Sequence, residues 1–230
     1  MERVNIAQID IDVDSLIAKS AEVREKLINI GNEMKALKDD FSKGNISIEE
    51  YTKRITLLTA ELTARKKQYK YYRDELLKPN RSIPMVTLKE IACSIYRGTG
   101  IKRDQVTEDG VPCVRYGEIY TTYNTWFDEC VSHTKEEYVS SPKYFEHGDI
   151  LFAITGESED ISKSIAYIGH DRCLAGGDIV VMKHNQNPRY LAHVLNTSMA
   201  REQKSKGKVK SKVVHSNVSS IEQIRIPLPT

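Results

Sequence analysis

Backbone-breaking residues are nearly absent from the first third of this 230-residue chain and are concentrated in the rest. Residues 1–78 contain no proline and only two glycines, whereas all seven prolines and ten glycines follow residue 78. Proline breaks helices and glycine weakens them, so the first stretch favours long uninterrupted helices. The change in composition predicts a domain over residues 1–78, a linker over 79–84 and a second domain over 85–230.

The first domain has the spacing of a coiled coil. Apolar or small residues recur at alternating intervals of four and three, which is the pattern of a narrow helix–helix seam. Arg65 is the only charged residue at a seam position. The seam positions are Leu16, Ser20, Val23, Leu27, Ile30, Met34, Leu37 and Phe41, and then Ile48, Tyr51, Ile55, Leu58, Leu62, Arg65, Tyr69, Tyr72 and Leu76.

Capping residues divide this pattern into two helices. Gly44 is suited to end the first helix in a left-handed conformation. Ser47 and Glu50 have the spacing of a capping box, in which the hydroxyl and the carboxylate satisfy the first free N–H groups of a second helix over 47–77. The sequence therefore predicts an antiparallel helical hairpin.

The second domain changes to short β-rich runs separated by Gly, Asp and Ser. Two helices are predicted among them, one over Thr87–Cys93 and one opened by Asn187-Pro188, whose apolar face is Leu191, Val194, Leu195 and Met199. Strands with few helices and long polar loops indicate a mixed α+β domain. The predicted strands are Val111–Tyr116, Ile150–Thr155, Ser164–Ile168 and Ile179–Met182.

The formal net charge of +2 is an average over strongly charged segments. Residues 104–160 carry thirteen acidic and three basic side chains, whereas residues 201–212 carry six basic and one acidic. Residues 65–73 add five cations and no acid. No apolar run is long enough for a transmembrane helix, and the acidic N-terminus lacks the apolar core of a secretory signal, so we expect a cytoplasmic protein.

Motifs for metal or nucleophilic chemistry are weak. Cys93, Cys113, Cys130 and Cys173 form no CxxC pair, so we expect core residues rather than a zinc site. The six histidines form no HExxH or HxH pattern, and no GxSxG elbow is present. We therefore expect no catalytic residues and no metal site.

Two further segments resemble parts of catalytic sites. Asn187-Pro188-Arg189-Tyr190 resembles the Asn-Pro-Pro-Tyr of adenine methyltransferases, but a helix cap explains it better. Asp149, Glu157, Asp160 and Lys163 supply the residue types of a metal-dependent nuclease, although 157–163 reads as a loop. Gly98-Thr99-Gly100 lacks the remainder of a phosphate loop and reads as a flexible turn.

Residues 60–77, AELTARKKQYKYYRDELL, closely resemble the helical spacer of the specificity (S) subunits of type I restriction–modification enzymes. Every defined position of the spacer pattern E-[LI]-x-x-R-[KQ]-x-Q-Y-x-Y-Y-R-x-x-L-L is met. Residues after the spacer resemble a target-recognition domain of that family, with Met85-Val86-Thr87 where an aromatic residue often stands. The matching segments are 88–91 before Arg97-Gly98, 114–119, 148–151, 155–157, 175–178 and 224–229.

This resemblance implies a non-catalytic DNA-recognition subunit. Its expected partners are double-stranded DNA, methyltransferase subunits and, through them, the restriction subunit; S-adenosylmethionine, ATP and Mg²⁺ would belong to those partner subunits. Full-length members of the family have two recognition domains and two spacers, whereas this chain shows one of each. Two alternatives fit this organisation. The chain is a half-subunit that pairs through its helices with a second copy or another half-subunit, or it is a piece of a longer subunit.

The expected DNA contacts are long or polar side chains on loops, because Arg and Lys pair with guanine, Asn and Gln pair with adenine, and lysines bind phosphates. Packing under the loop is a nearly equal alternative for two tyrosines, Tyr120 and Tyr123, and a solvated loop is the alternative for the four C-terminal lysines. The set is Arg97, Lys102, Arg103, Arg115, Tyr116, Tyr120, Thr121, Thr122, Tyr123, Asn124, Lys163, Lys206, Lys208, Lys210 and Lys212.

The basic end of the second helix is the expected docking face for the methyltransferase, with ordinary solvation as the alternative. Two other functions stay open for the whole chain: a self-contained DNA nuclease or methyltransferase, and a coiled-coil protein-interaction module that does not bind DNA. The expected docking residues are Arg65, Lys66, Gln68, Tyr69, Tyr72 and Arg73.

Overall fold

The computed structural model describes residues 6–80, 82–157, 163–204, 213–215 and 217–229, with side chains in all of these except 6–14, 156–157 and 213–215. The chain divides into two compact units, one on each side of the bond between Lys78 and Pro79. The architecture is α+β, with two N-terminal helices followed by mixed sheets. None of the described helices is both long enough and apolar enough to cross a membrane.

The first unit is a helical hairpin formed by α1 (Ile6–Ser42) and α2 (Ile48–Leu76). Gly44 has a φ of 75°, which is the left-handed conformation predicted for the end of α1. Ser47 caps α2 by accepting a hydrogen bond of 3.2 Å from the Glu50 amide. Only this half of the predicted capping box is recorded among the described residues, and the Glu50 carboxylate instead lies 3.6 Å from Arg54 Nη1.

The predicted seam is the surface along which α1 and α2 pack. On α1, Val23, Ile30 and Leu37 are buried at intervals of seven. On α2 no residue is fully buried, but the seam positions from Tyr51 to Tyr72 are half-buried while most others are exposed. Phe41 near the end of α1 stacks on Tyr51 near the start of α2, with ring centroids 4.5 Å apart, as an antiparallel pair requires.

The second unit contains two five-stranded sheets. In spatial order the first consists of β2 (Ala92–Arg97), β12 (Ile179–His184), β8 (Ile150–Ala153), β10 (Ser164–Tyr167) and β5 (Trp126–Phe127). The second consists of β3 (Val106–Thr107), β6 (Ser132–Thr134), β4 (Val111–Val114), β11 (Cys173–Ala175) and β7 (Tyr144–Phe145). Each sheet has one parallel pair, β5 with β10 and β4 with β11, and its other pairs are antiparallel.

Smaller elements complete this unit. Two antiparallel strand pairs are formed by β1 (Met85–Thr87) with β14 (Arg225–Pro227) and by β9 (Thr155–Glu157) with β13 (Val213–His215). Its described helices are α3 (Leu88–Ile91), α4 (Tyr116–Thr121), α5 (Pro188–Val194), α6 (Ser198–Lys204) and α7 (Val218–Glu222), with single 3₁₀ turns over Arg103–Gln105 and Glu136–Tyr138.

The core lies between the two five-stranded sheets. Leu151 and Ala153 of β8, with alternate residues of β10 and β12, meet Val114, Phe145 and Ala175 of the second sheet. Because α5 contacts β8 and β10 as well, all four residues of β8 are buried. Burial on both sides explains why this strand reads as a continuous apolar run in the sequence.

Several predicted boundaries are wrong for local reasons. The strand predicted to reach Tyr116 ends at Val114, because Arg115 caps α4. The predicted helix Thr87–Cys93 shortens to α3, and Ala92 already belongs to β2. The predicted longer helix after Pro188 divides into α5 and α6, and Thr197 Oγ1 caps the start of α6 by accepting from the Ala200 amide at 3.4 Å while it donates to the Val194 carbonyl at 2.7 Å.

Candidate functional site

Four loop segments of the second unit line an open cleft of about 590 Å³. They follow β2, β4 and β11 or precede β7, so each is held at one end by a strand. Two of the predicted loops, the glycine turn and the segment from Arg115, meet here. The lining residues are Arg97, Gly98, Thr99, Gly100, Ile101, Arg115, Tyr116, Ser140, Ser141, Lys143, Gly176, Gly177 and Asp178.

Glycines allow these loops to pass one another with backbone against backbone. A Cβ atom at Gly98 would lie 2.3 Å from the Gly176 carbonyl oxygen and 2.5 Å from that of Ala175. A Cβ at Gly177 would lie 2.9 Å from Gly100 Cα. The Gly98 amide donates to the Ile179 carbonyl at 2.8 Å, which fixes the crossing. The floor of the cleft is therefore backbone, and its chemistry comes from the side chains around it.

Arg97 lies at the exposed rim of the cleft. Its Nε donates to the Gly177 carbonyl at 2.5 Å, and its Nη2 is 2.6 Å from Asp178 Oδ1. Both side chains of this ion pair are accessible, Arg97 at 58% and Asp178 at 37%. Exposed pairs of this kind contribute little, so the guanidinium can exchange the carboxylate for another anion at small cost.

Arg115 is held much more firmly. Its Nε and Nη2 each donate to Glu118 Oε1 at 3.0 Å, and its own backbone amide donates to Glu118 Oε2 at 3.0 Å. Glu118 is buried, with only 7% of the residue exposed, and its Oε1 also accepts a 2.7 Å bond from Ser132 Oγ. The next residue, Tyr116, is exposed at the cleft.

The segment 138–143 contributes to the same surface and was missed in the sequence. Thr99 Oγ1 donates to the Ser141 carbonyl at 2.7 Å, and Gln105 Nε2 donates to the Tyr138 carbonyl at 3.0 Å. Lys143, on this segment, is exposed and lines the cleft. The local signal was the turn-forming run Ser140-Ser141-Pro142, whose Ser141 has a φ of 57°.

Other predicted DNA contacts divide into exposed and packed residues. Lys102, Arg103, Thr121, Thr122 and Asn124 are exposed, the first two at the 3₁₀ turn that follows the glycine loop.

Tyr123 is a correction to the prediction, since it is a core residue. It stacks on Phe127 with centroids 4.2 Å apart, its hydroxyl accepts from the Val131 amide at 2.9 Å, and burial raises its pKa well above the usual value. The packing alternative therefore applies to Tyr123, whose ring is not accessible to a base. Tyr120 is half-buried and donates to the Thr155 carbonyl at 3.1 Å, and Lys163 donates to the Tyr123 carbonyl.

The four lysines of the predicted phosphate-binding loop, Lys206, Lys208, Lys210 and Lys212, lie outside the described residues, as does Asp160 of the nuclease pattern. Asp149 of that pattern is engaged in hydrogen bonds within the fold. Its Oδ2 accepts from the Glu146 amide at 2.8 Å and from Lys183 Nζ at 3.1 Å, and burial raises its pKa against the opposing effect of these bonds. Within the described parts of the chain, no group of three His, Cys, Asp or Glu side chains is placed to hold a metal ion.

The cysteine prediction is partly right. Cys113 and Cys173 are buried and Cys130 is partly buried, as expected for core residues, whereas Cys93 is exposed. All four are free thiols.

The predicted docking residues of the hairpin divide between two surfaces of α2. Arg65, Tyr69 and Tyr72 occupy seam positions and are half-buried. Arg65 Nη1 donates to Gln68 Oε1 at 3.1 Å, and Gln68 Nε2 donates to the Tyr72 hydroxyl at 3.2 Å. Arg73 pairs with Asp74 at 3.0 Å. Lys66 is exposed as predicted, and its neighbours Lys67 and Lys70 are exposed as well.

Comparison with known proteins adds no assignment. No protein-family model matches the chain, and no curated protein matches it. A functional assignment therefore depends on the residues themselves.

Proposed function

We propose that this chain is the sequence-specific DNA-binding subunit of a type I restriction–modification complex, directing methyltransferase and endonuclease subunits to one half of a bipartite site. The observation that carries the proposal is the cleft, where Arg97, Arg115 and Lys143 converge with the exposed ring of Tyr116. Cations neutralise phosphates and pair with base edges, and loops held by sheets place such groups reproducibly.

The helical hairpin has a different role in this proposal. It sets distance and binds protein partners, and Lys66, Lys67 and Lys70 are the exposed cations available to a methyltransferase subunit. A second copy or another half-subunit, paired through helices, supplies the second recognition domain. Two such domains read half-sites about one DNA turn apart (~34–36 Å). S-adenosylmethionine, ATP and Mg²⁺ belong to the partner subunits.

Salt-dependent binding of the full chain to duplex DNA tests the proposal. A variant with Arg97, Arg115 and Lys143 all changed to Ala should bind random duplex more weakly and with a shallower dependence on salt, since each lost phosphate contact removes about 0.9 from the logarithmic slope. The matched control changes three exposed lysines of the first unit, Lys19, Lys35 and Lys43, to Ala. A wild-type chain without salt-sensitive affinity for duplex would favour the protein-interaction alternative.

Mapping of methylated sites in cells that carry the chain with its methyltransferase tests the bipartite arrangement. A two-fold symmetric split site is expected if two copies act together. An asymmetric split site would instead assign the second half to another recognition domain. A continuous site, or no site, would contradict the proposal.

A further inference from the structure

The two arginines of the cleft are held in different ways, and the difference bears on what each binds. Glu118 accepts four hydrogen bonds, three from Arg115 and one from Ser132. It is buried, so water and salt screen its interaction with Arg115 much less than the exposed pair of Arg97 and Asp178 is screened. Arg115 is therefore fixed before any ligand arrives, whereas Arg97 is not.

The bonds to Glu118 use only one edge of the Arg115 guanidinium. They engage the hydrogen of Nε and one hydrogen of Nη2. The end of the guanidinium, formed by Nη1 and the second hydrogen of Nη2, has no hydrogen-bond acceptor among the described residues, and Arg115 lines the cleft. Two parallel N–H donors match the O6 and N7 acceptors that guanine presents in the major groove.

We propose, on the basis of the proposed function, that Arg115 reads a guanine through this end of its guanidinium and that Glu118 and Ser132 are the residues that position it. Ser132 lies on β6 and Glu118 on α4, so two elements of the scaffold fix one side chain. Holding the guanidinium in place before binding removes part of the ordering cost and makes a displaced or mismatched base harder to accommodate.

Selection from a randomised DNA duplex library, with the full chain, tests the proposal. The wild-type chain should select a motif that contains at least one strongly preferred guanine. R115A should lose that preference by about 5- to 150-fold, the range expected for one bidentate base contact. E118Q should weaken the preference for the same guanine. The double variant R115A/E118Q should lose no more of this preference than R115A alone, because both substitutions act on the same base contact.

Controls separate positioning from charge and from folding. E137Q makes the same charge change at an exposed carboxylate of the 3₁₀ turn and should keep the motif. If thermal unfolding shows that E118Q does not fold, S132A decides, since it removes one bond and keeps the Glu118 charge. A reduced guanine preference in S132A supports the proposal.

The remaining outcomes distinguish this inference from the proposed function. A wild-type chain that selects no motif would contradict the proposed function and the inference together. A motif whose R115A-dependent guanine is unaffected in folded E118Q and S132A would overturn the positioning role alone. Equal weakening of all sequences in R115A would make Arg115 a phosphate contact and overturn the inference, while leaving DNA binding intact.

Discussion

Arg97 and Asp178 form an ion pair at the rim of the cleft, with Nη2 2.6 Å from Oδ1. The two residues belong to different segments, the end of β2 and the turn before β12. A carboxylate at this position orients the arginine and, in the proposed function, would oppose the approach of DNA phosphates.

Changing Asp178 to Asn should therefore strengthen binding to every duplex. An exposed ion pair contributes about 0.2–1 kcal/mol, so its removal should raise the affinity for duplex DNA by about 1.5- to 5-fold. The preference among bases should not change. Fluorescence anisotropy with specific and random duplexes measures it. The control D109N changes an exposed aspartate by the same charge. An equal gain in both variants would mean that only net charge matters.

The lysine-rich segment near the C-terminus supplies a second prediction. Changing Lys206, Lys208, Lys210 and Lys212 to Ala should weaken binding to specific and random duplex alike, because phosphate contacts position without specifying. The logarithmic salt slope should become shallower by about 0.9 for each lysine that contacts a phosphate. Salt titrations measure the slope, with the four exposed lysines Lys19, Lys35, Lys38 and Lys43 as the charge-matched set. Unchanged slopes would remove the segment from the interface.

The glycine crossing predicts a sharp contrast between neighbours. G98A should destabilise the second unit by about 1–3 kcal/mol, because its Cβ would lie 2.3 Å from the Gly176 carbonyl oxygen. G100A should change stability by no more than about 0.5 kcal/mol, because no described atom beyond its chain neighbours lies within 4 Å of the position of its Cβ. Urea unfolding followed by fluorescence reports on this unit through Trp126, the single tryptophan. Equal stabilities would show that the loops move apart freely.

His184 makes stability depend on pH. Burial lowers its pKa, because the charged imidazolium is disfavoured away from water. The unfolded state therefore takes up a proton near the ordinary value of 6.5 while the folded state does not, and stability falls as the pH decreases from 6.5 towards the folded pKa.

Urea unfolding at pH 7.5, 6.5 and 5.5 measures this loss through Trp126 fluorescence. H184N should flatten the pH dependence, since its side-chain oxygen can replace Nδ1 as the acceptor for the Gln186 amide. H170N, at an exposed histidine, should keep the wild-type dependence. If stability depends on pH equally in H184N and H170N, the effect comes from a residue other than His184.

Local pattern was sufficient to predict the hairpin. Its seam repeats over many turns, and Gly44 and Ser47 mark its ends with residues whose conformations are restricted. The sheets were harder to predict, because strands such as Trp126–Phe127 and Tyr144–Phe145 are only two residues long. Such short strands cannot show the alternation of apolar and polar residues that identifies a strand in a sequence. The start of α6 is marked by one hydroxyl, Thr197 Oγ1, which accepts from the Ala200 amide and which helix periodicity does not reveal.

Part of the cleft could also be predicted, namely Arg97, Arg115 and Tyr116, because glycines and long polar side chains mark loops. Lys143 was not predicted, since its approach to the cleft depends on contacts between segments about forty residues apart, such as Thr99 with Ser141. Glu118 reads as one acid among many until its partner Ser132 is seen beside it. Tyr123 is amphipathic, and only the packing of Phe127 against it decides its place.

The crossing of the glycine loops separates the side chains that line the cleft from the backbone contacts that hold the unit together. Because backbone meets backbone at Gly98, Gly176 and Gly177, side chains at the exposed lining positions 97, 116, 140 and 143 can be exchanged without filling or emptying the interior. For the proposed function, a combinatorial library at those four positions, built on unchanged glycines, should therefore yield recognition units with new sequence preferences and the parent's thermal stability.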